Sequence, residues 1–318
     1  MNTEEINIVF TLSDKTGNYS ATFGTTIASI FENTDFNKVV INIHIMHDDT
    51  LTIENKRNFE KLISYYRQNV QFYNIKLDWA KFKNLDCIKK YTIAQLYRIM
   101  IADTIKVDKV IYLDSDLIFN LDIRDLNNEE LDGKSIGAVL DKYVKGIDVI
   151  SKHEYVYKIP VNVEEYFNTG VIIFDLKKIR EKYDTFSEGI QLLKKYPFIP
   201  YGEQDINNML FVGDCKFIDK KYNWGNVKGK RDNCIYHFSV EGNKKPWCNN
   251  TTTLNELYWQ YFAKTPWGNT IDKLLTAYNK SIILDKKILI NPILSKKIFI
   301  KNCLQRILKE FLLRFRKR

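Results

Sequence analysis

No two of the five cysteines in this chain, Cys87, Cys215, Cys234, Cys248 and Cys303, are spaced C-x-x-C, and their number is odd. Neither a disulfide framework nor a zinc site is therefore encoded. No apolar run approaches the roughly 20 residues that span a bilayer. The N-terminus carries Glu4 and Glu5 where a signal peptide needs basic residues. These absences predict a protein kept in a reducing cytoplasm. No internal repeat of fixed period and no Pro/Gly/Ser-rich linker divides the 318 residues. Positive charge is also scarcer than the total implies. Of the net +9, the stretch from Lys296 to Arg318 carries nine Lys/Arg against one Glu, or +8, which leaves +1 for everything before it. A generally basic surface of the kind that binds nucleic acid is excluded, and the basicity belongs to the tail.

What is present is a hydrophobic content of 45%, enough for a full core. Residues 6–12, 39–46, 70–73 and 110–113 read as strands, and 22–31, 53–66 and 94–104 as helices between them. Alternation of this kind predicts an α/β fold, a mostly parallel sheet with helices on both faces. Strands are also expected over 135–140, 170–176 and 234–238, and helices over 177–196 and 203–211. After Trp247 the pattern changes to helices rich in Trp and Tyr. The predicted division is a catalytic domain over 1–250, a helical C-terminal extension over 251–295 and a basic tail over 296–318.

The chemistry concentrates at Val110-Ile111-Tyr112-Leu113-Asp114-Ser115-Asp116, an apolar run ending in two carboxylates one residue apart. The run reads as a strand buried on both faces, and its carboxyl end is where open α/β sheets place ligands. Two such carboxylates repel each other unless a proton or cation intervenes. A divalent metal with oxygen ligands, carrying the phosphates of a nucleotide, resolves this. An Asp after a strand also serves turns and helix caps, so the spacing alone leaves a structural role open. Haloacid-dehalogenase phosphatases share a strand ending in Asp-x-Asp, but their motif sits on the first strand with Thr or Val where this chain has Ile118.

Other polar groups fall where a sheet edge would gather them. Asp14, Asn18 and Tyr19 follow the first strand, and Arg98 lies on the helix before the acidic one. Asn168-Thr169-Gly170 precedes a strand, Glu203-Gln204-Asp205 opens a helix, and His237 ends the late strand ahead of Gly242 and Lys245-Pro246-Trp247. As an ordered set these resemble glycosyltransferase family 8, which includes bacterial lipopolysaccharide sugar transferases and glycogenins, over residues 6–250.

The resemblance implies a Rossmann-like GT-A fold that binds a UDP-sugar and Mn²⁺, with Mg²⁺ as the alternative ion. Asp114, Asp116 and His237 would be the metal ligands. Asp14, Asn18 and Tyr19 would meet the uracil and ribose. Arg98, Ser115, Asn168 and Glu203 would line the donor, and Gly242 with Lys245 would hold the diphosphate. Gln204 would stand near the anomeric carbon of a transfer that retains configuration. Gly242 lies five residues after His237 where the family pattern has three. Arg98 has a structural alternative, an ion pair with Asp103, and Trp224, Trp247, Trp259 and Trp267 are core or acceptor-platform residues.

The function expected is transfer of galactose or glucose from a UDP-hexose to a lipid-linked glycan such as lipopolysaccharide core. The alternatives are a glycogenin-like or protein-directed transferase and a non-catalytic nucleotide-binding module. In the tail, Ile300, Leu304, Ile307, Leu308, Phe311 and Phe315 recur at helical spacing. Arg306, Lys309, Arg316 and Lys317 fall largely on the other side. That is the pattern of an interfacial helix, and it predicts peripheral attachment to an anionic membrane surface on the cytoplasmic side.

Overall fold

The computed structural model describes residues 3–37, 39–78, 82, 93–141, 159–197, 199, 201–225, 231–239, 245–246 and 253–270. Strand β1 (Glu4–Leu12) sits in the middle of a seven-stranded sheet and is buried on both faces. Its Ile6, Ile8, Phe10 and Leu12 enter one apolar cluster and Val9 the other, the period-two alternation of an extended chain. Helix α1 (Tyr19–Asn33) leads to β2 (Val39–His47), and α2 (Ile53–Tyr65) to β3 (Asn69–Asn74). Both strands are parallel to their neighbours, as right-handed crossovers through helices require. A 3₁₀ segment (Ile93–Met100) and a short α3 (Ile101–Thr104) precede β4 (Lys109–Leu113), which pairs with β1 in parallel.

The order across the sheet is β3-β2-β1-β4-β7-β6-β8, with β6 (Ile136–Leu140), β7 (Phe167–Asp175) and β8 (Cys215–Phe217). The α/β expectation holds, with helices on both faces and a mostly parallel sheet. The exception is β7, which runs against both of its neighbours. Its reversal positions the site, because the amino end of β7 then lies beside the carboxyl end of β4. The ladder continues past the strands in the bond from the Asp114 amide to the Gly170 carbonyl (2.8 Å).

A second sheet of three short strands sits next to this junction: β5 (Leu117–Asn120), β9 (Trp224–Gly225) and β10 (Cys234–His237). β10 runs antiparallel to β5 with His237 opposite Leu117, and the Phe238 amide donates to the Asp116 carbonyl (3.0 Å). β5 is also tied to α1. Thr26 Oγ1 donates to the carbonyls of Ser115 and Leu117, Ser29 Oγ accepts from the Phe119 amide, and Asn33 Nδ2 reaches the Phe119 carbonyl. Three polar residues at helical spacing thus satisfy strand groups that burial would otherwise leave unpaired.

Strands β5, β8 and β9 and a helix α4 (Ile123–Asn127) were not apparent from sequence pattern. The single helix expected over 177–196 is two, α5 (Leu176–Lys182) and α6 (Thr185–Lys195). Tyr183 is extended between them, and Asp184 caps the second by accepting from the Ser187 amide (3.0 Å). α7 (Glu203–Leu210) follows, entered through Gly202 at a φ of 57°, a conformation that favours glycine.

The described part of the C-terminal region, α8 (Thr253–Phe262) and the turn after it, covers α1 and α2. Tyr258, Tyr261, Phe262 and Trp267 join the cluster that holds Ile8 and Phe10. The Trp267 ring lies so close over Gly24 that no Cβ fits there, and its indole N–H donates to Asn55 Oδ1 (2.9 Å). Residues 271–318, including the expected amphipathic tail, lie outside the described residues.

Candidate active site

The carboxyl end of β4, the amino end of β7 and the end of β10 converge on Asp114, Asp116 and His237. One oxygen of each carboxylate and one ring nitrogen of His237 lie within 4.8 Å of one another. Each carboxylate has one oxygen engaged by the protein. Asp114 Oδ1 accepts from Arg98 Nη2 (2.6 Å) and the Tyr112 hydroxyl (2.7 Å), and Asp116 Oδ2 is paired with the Lys245 ammonium. The other oxygens, Asp114 Oδ2 and Asp116 Oδ1, face His237 Nε2 at 3.7 and 3.5 Å. His237 fits against Gly170, where a Cβ would collide with the imidazole. Two carboxylate oxygens and an imidazole nitrogen form a donor set suited to a first-row divalent cation, so the residues present fit the ion expected from sequence.

Arg98 is the hub of the charges behind this cluster. Its guanidinium donates to Asp114, to both oxygens of Glu203 (2.7 Å each) and to Thr169 Oγ1 (3.2 Å), and stacks 4.5 Å from the centre of the Tyr112 ring. The Asp103 pairing left open from sequence is therefore not the one formed. Glu203 is 3% exposed. Burial pushes its carboxyl up to about 7, with Asp114 adding to the effect and Arg98 opposing it. Burial also works to raise Asp116, but the charges of Lys245 and His237 override it and hold that carboxyl well below the usual range.

Gln204, in the first turn of α7, reaches the paired ends of β6 and β7. Its Oε1 accepts from the Thr169 amide (3.3 Å), and its Nε2 donates to Asp141 Oδ2 (3.3 Å) and lies 3.3 Å from the Tyr166 hydroxyl. Asn168 donates to the same Asp141 oxygen (3.2 Å). Asp141, Asn168, Asn223, Trp224, His237 and Ser239 line a cleft of about 420 Å³. His237 belongs both to this cleft and to the carboxylate cluster.

The loop after β1 is placed differently from expectation. Asp14 is 2% exposed, and its carboxylate accepts from the Tyr19 and Ser20 amides (2.8 and 3.0 Å), the Ser20 hydroxyl (2.5 Å) and Asn55 Nδ2 (3.0 Å). It anchors the amino end of α1, where orphan amides and the helix dipole favour an anion. Tyr19 is exposed, and its hydroxyl lies within the field of the two site carboxylates. Asn18 is half-buried at the start of α1. Gly242 lies outside the described residues.

Sequence reasoning missed Asp141, Tyr112 and Asn223. Asp141 had a signal, since it follows the apolar run Ile136–Leu140 as Asp114 follows its own strand. Asn223, 14 residues from His237 in a 3₁₀ turn, had none.

The model of glycosyl transferase family 8 matches residues 7–251. The chain is 32% identical over 227 residues to a Haemophilus influenzae protein whose glycosyltransferase assignment is provisional. It is 26% identical over 236 residues to the lipopolysaccharide 1,3-galactosyltransferase of Salmonella typhimurium. Each match takes in 70% of this chain, and 64% and 68% of those relatives, so the chain spans about two thirds of their length. Among solved structures it is similar to the galactosyltransferase LgtC in complex with donor and acceptor sugar analogs. That likeness has a TM-score of 0.65 at 22% identity and covers 83% of this chain and 96% of that one.

Proposed function

The chain belongs to glycosyl transferase family 8 and has a GT-A fold, and on that premise we propose that it is a retaining, metal-dependent hexosyltransferase. It takes galactose or glucose from a UDP-sugar and adds it to a lipid-linked glycan such as lipopolysaccharide core. The observation that carries this reading is the convergence of Asp114, Asp116 and His237 beside an open cleft. The relative named for lipopolysaccharide 1,3-galactosyl transfer supports the acceptor class.

Asp114, Asp116 and His237 would hold the ion, and the imidazole nitrogen would favour Mn²⁺ over Mg²⁺. The bound ion supplies Lewis-acid stabilisation of charge on the departing diphosphate. Arg98 fixes the orientation of Asp114 through their ion pair. Lys245, beside Asp116, adds positive field where the diphosphate accumulates charge. Tyr19 and Asn18 border the nucleoside, with Asp14 fixing the loop that carries them. Gln204 and Asn168 face the donor hexose together with Asp141. The Gln204 amide oxygen stabilises oxocarbenium charge, and the acceptor hydroxyl attacks from the face the phosphate leaves, passing its proton to that phosphate.

Residues 1–250 are the catalytic unit in this reading, with 251–295 an extension whose described part buttresses α1. The 296–318 segment attaches the protein to the cytoplasmic face of the membrane. Its support is the apolar stripe and the +8 charge. Among the described residues no helix is long and apolar enough to cross a membrane. The test is UDP release from a panel of UDP-sugars with Mn²⁺, with the product linkage read by the anomeric proton coupling. One UDP-hexose should turn over with Mn²⁺ and stop with chelator. Turnover that persists in chelator, or a β linkage from an α donor, would overturn the reading.

A further inference from the structure

His237 can serve as a ligand through Nε2 only if its neutral ring carries the proton on Nδ1. The structure contains a hydrogen-bond chain that dictates this. At one end the Gly170 amide, which can only donate, gives its proton to Asn168 Oδ1 (2.8 Å), while Asp141, a carboxylate, receives Asn168 Nδ2 (3.2 Å). These two contacts fix which end of the Asn168 amide is oxygen. Asn223 Nδ2 donates to that same oxygen (2.7 Å), so Asn223 Oδ1 is the atom turned toward His237 Nδ1, at 2.8 Å. An amide oxygen only accepts, and Nδ1 must therefore be the donor. The lone pair of Nε2 is left pointing between Asp114 and Asp116.

We infer that Asn223 is a positioning residue that sets the tautomer and the ring orientation of His237, and so the affinity of the site for a divalent cation. The inference rests on the metal reading proposed above. Asn223 is well placed for the task. The preceding residue, Tyr222, is buried and ties the turn to α4 and the loop after it through Asp125 O (3.1 Å) and Glu129 Oε1 (2.7 Å), and Asp219 caps the turn by accepting from the Lys221 amide (2.7 Å). Trp224 next to it pairs with β10 itself. Gly170 closes the other side of the ring, so the imidazole has one well-defined pose. The chain also links the cation site to the cleft, because Asp141 at its far end faces the sugar-binding space.

The experiment uses the full-length protein with ¹⁵N-labelled histidine. At about pH 9, where an ordinary imidazole is neutral, ¹H–¹⁵N correlation of the metal-free wild type should show His237 as the Nδ1–H tautomer. Its signals are identified by their absence from His237→Ala. Mn²⁺ affinity is read in parallel by electron paramagnetic resonance titration. Asn223→Ala should populate the Nε2–H form and weaken Mn²⁺ binding by about 10- to 100-fold, the usual effect of removing a partner behind a metal-bound histidine. Asn223→Asp keeps an acceptor for Nδ1–H, so it should retain the tautomer and bind Mn²⁺ more tightly than Asn223→Ala. A wild type in the Nε2–H form, or a folded Asn223→Ala with unchanged tautomer and affinity, would overturn the inference. If Asn223→Ala does not fold, an Nε2–H ring in Asn223→Asp overturns it equally. Failure of the wild type to bind Mn²⁺ at all sinks the metal reading instead, and the tautomer spectrum still decides the hydrogen-bond chain.

Discussion

The two sides of the β4–β7 junction are built on opposite plans. Behind it lies a closed ionic knot, in which the Arg98 guanidinium pairs with both Asp114 and Glu203 and is capped by the Tyr112 ring. In front, Asn168 and Asp141 line an open cleft and, with Gln204 beside them, are joined by looser bonds of 3.2–3.3 Å. The knot consists of charged side chains of low exposure, each held by a fixed ionic partner. The cleft consists of neutral amides and one carboxylate that can exchange partners for a sugar's hydroxyls at little cost. In the proposed reading, the difference separates what must be rigid, the orientation of Asp114, from what must adapt to a substrate.

The sharpest break comes at the shared boundary. Asp114→Ala or Asp116→Ala should reduce metal-dependent donor turnover by about 10⁴-fold, equivalent to about 5.5 kcal/mol, as measured by UDP release at saturating donor. The folded circular dichroism spectrum should survive. Near-normal turnover in either variant would mean that the cluster is not the reaction centre.

Arg98→Ala tests the knot itself. It leaves the buried Glu203 and the half-buried Asp114 without their cation and should destabilise the protein by about 3–5 kcal/mol, read by urea denaturation. Arg98→Lys should recover only part of this, since an ammonium cannot span Asp114 and Glu203 with a planar fork.

On the cleft side the expected loss is kinetic. Gln204→Ala should lower kcat by about 10²-fold with little change in the donor KM, because its proposed interaction belongs to the transition state. The fold should stay as stable as wild type. A change confined to KM would make Gln204 a binding residue only.

The smallest effect should come from titrating the knot. Glu203 has a folded pKa raised to about 7, above the unfolded value of 4.5. The folded state therefore binds more protons than the unfolded one across that window, and stability should be greatest below 4.5 and fall as pH rises through 7. Glu203→Gln should remove this fall, a slope of at most about 1.4 kcal/mol per pH unit. Asp116 has the opposite sign: its depressed pKa contributes stability above its unfolded value that is lost on acidification. Denaturation midpoints of wild type and Glu203→Gln between pH 4.5 and 7.5 would show whether the two curves converge at the acid end.

Much of this arrangement was legible in the chain because local patterns carried it. The apolar run Val110–Leu113 announced a buried strand, and the Asp-x-Asp after it could only sit at that strand's carboxyl end. The alternation of strands and helices up to residue 113 likewise implied parallel pairing. Where the reading stopped, the cause was geometric. Nothing in Phe167–Asp175 says that the strand runs backwards, because direction is set by the neighbours it meets and not by its own alternation. That Asp14 also anchors the amino end of α1 and bonds Asn55 depends on partners that no local pattern announces. The break at Tyr183 and Asp184 was missed because the apolar spacing continues across it, while one capping carboxylate decides where α6 begins.

The residue types and their order determined what chemistry this protein can perform: two carboxylates after a strand, a histidine after another, and amides before and within others. Tertiary structure alone decided which oxygen of each carboxylate is free and which nitrogen of His237 faces them. It did so because those choices depend on partners remote in the chain, Arg98, Lys245 and Asn223, each brought into hydrogen-bond range by the antiparallel turn of β7 and the pairing of β10 with β5.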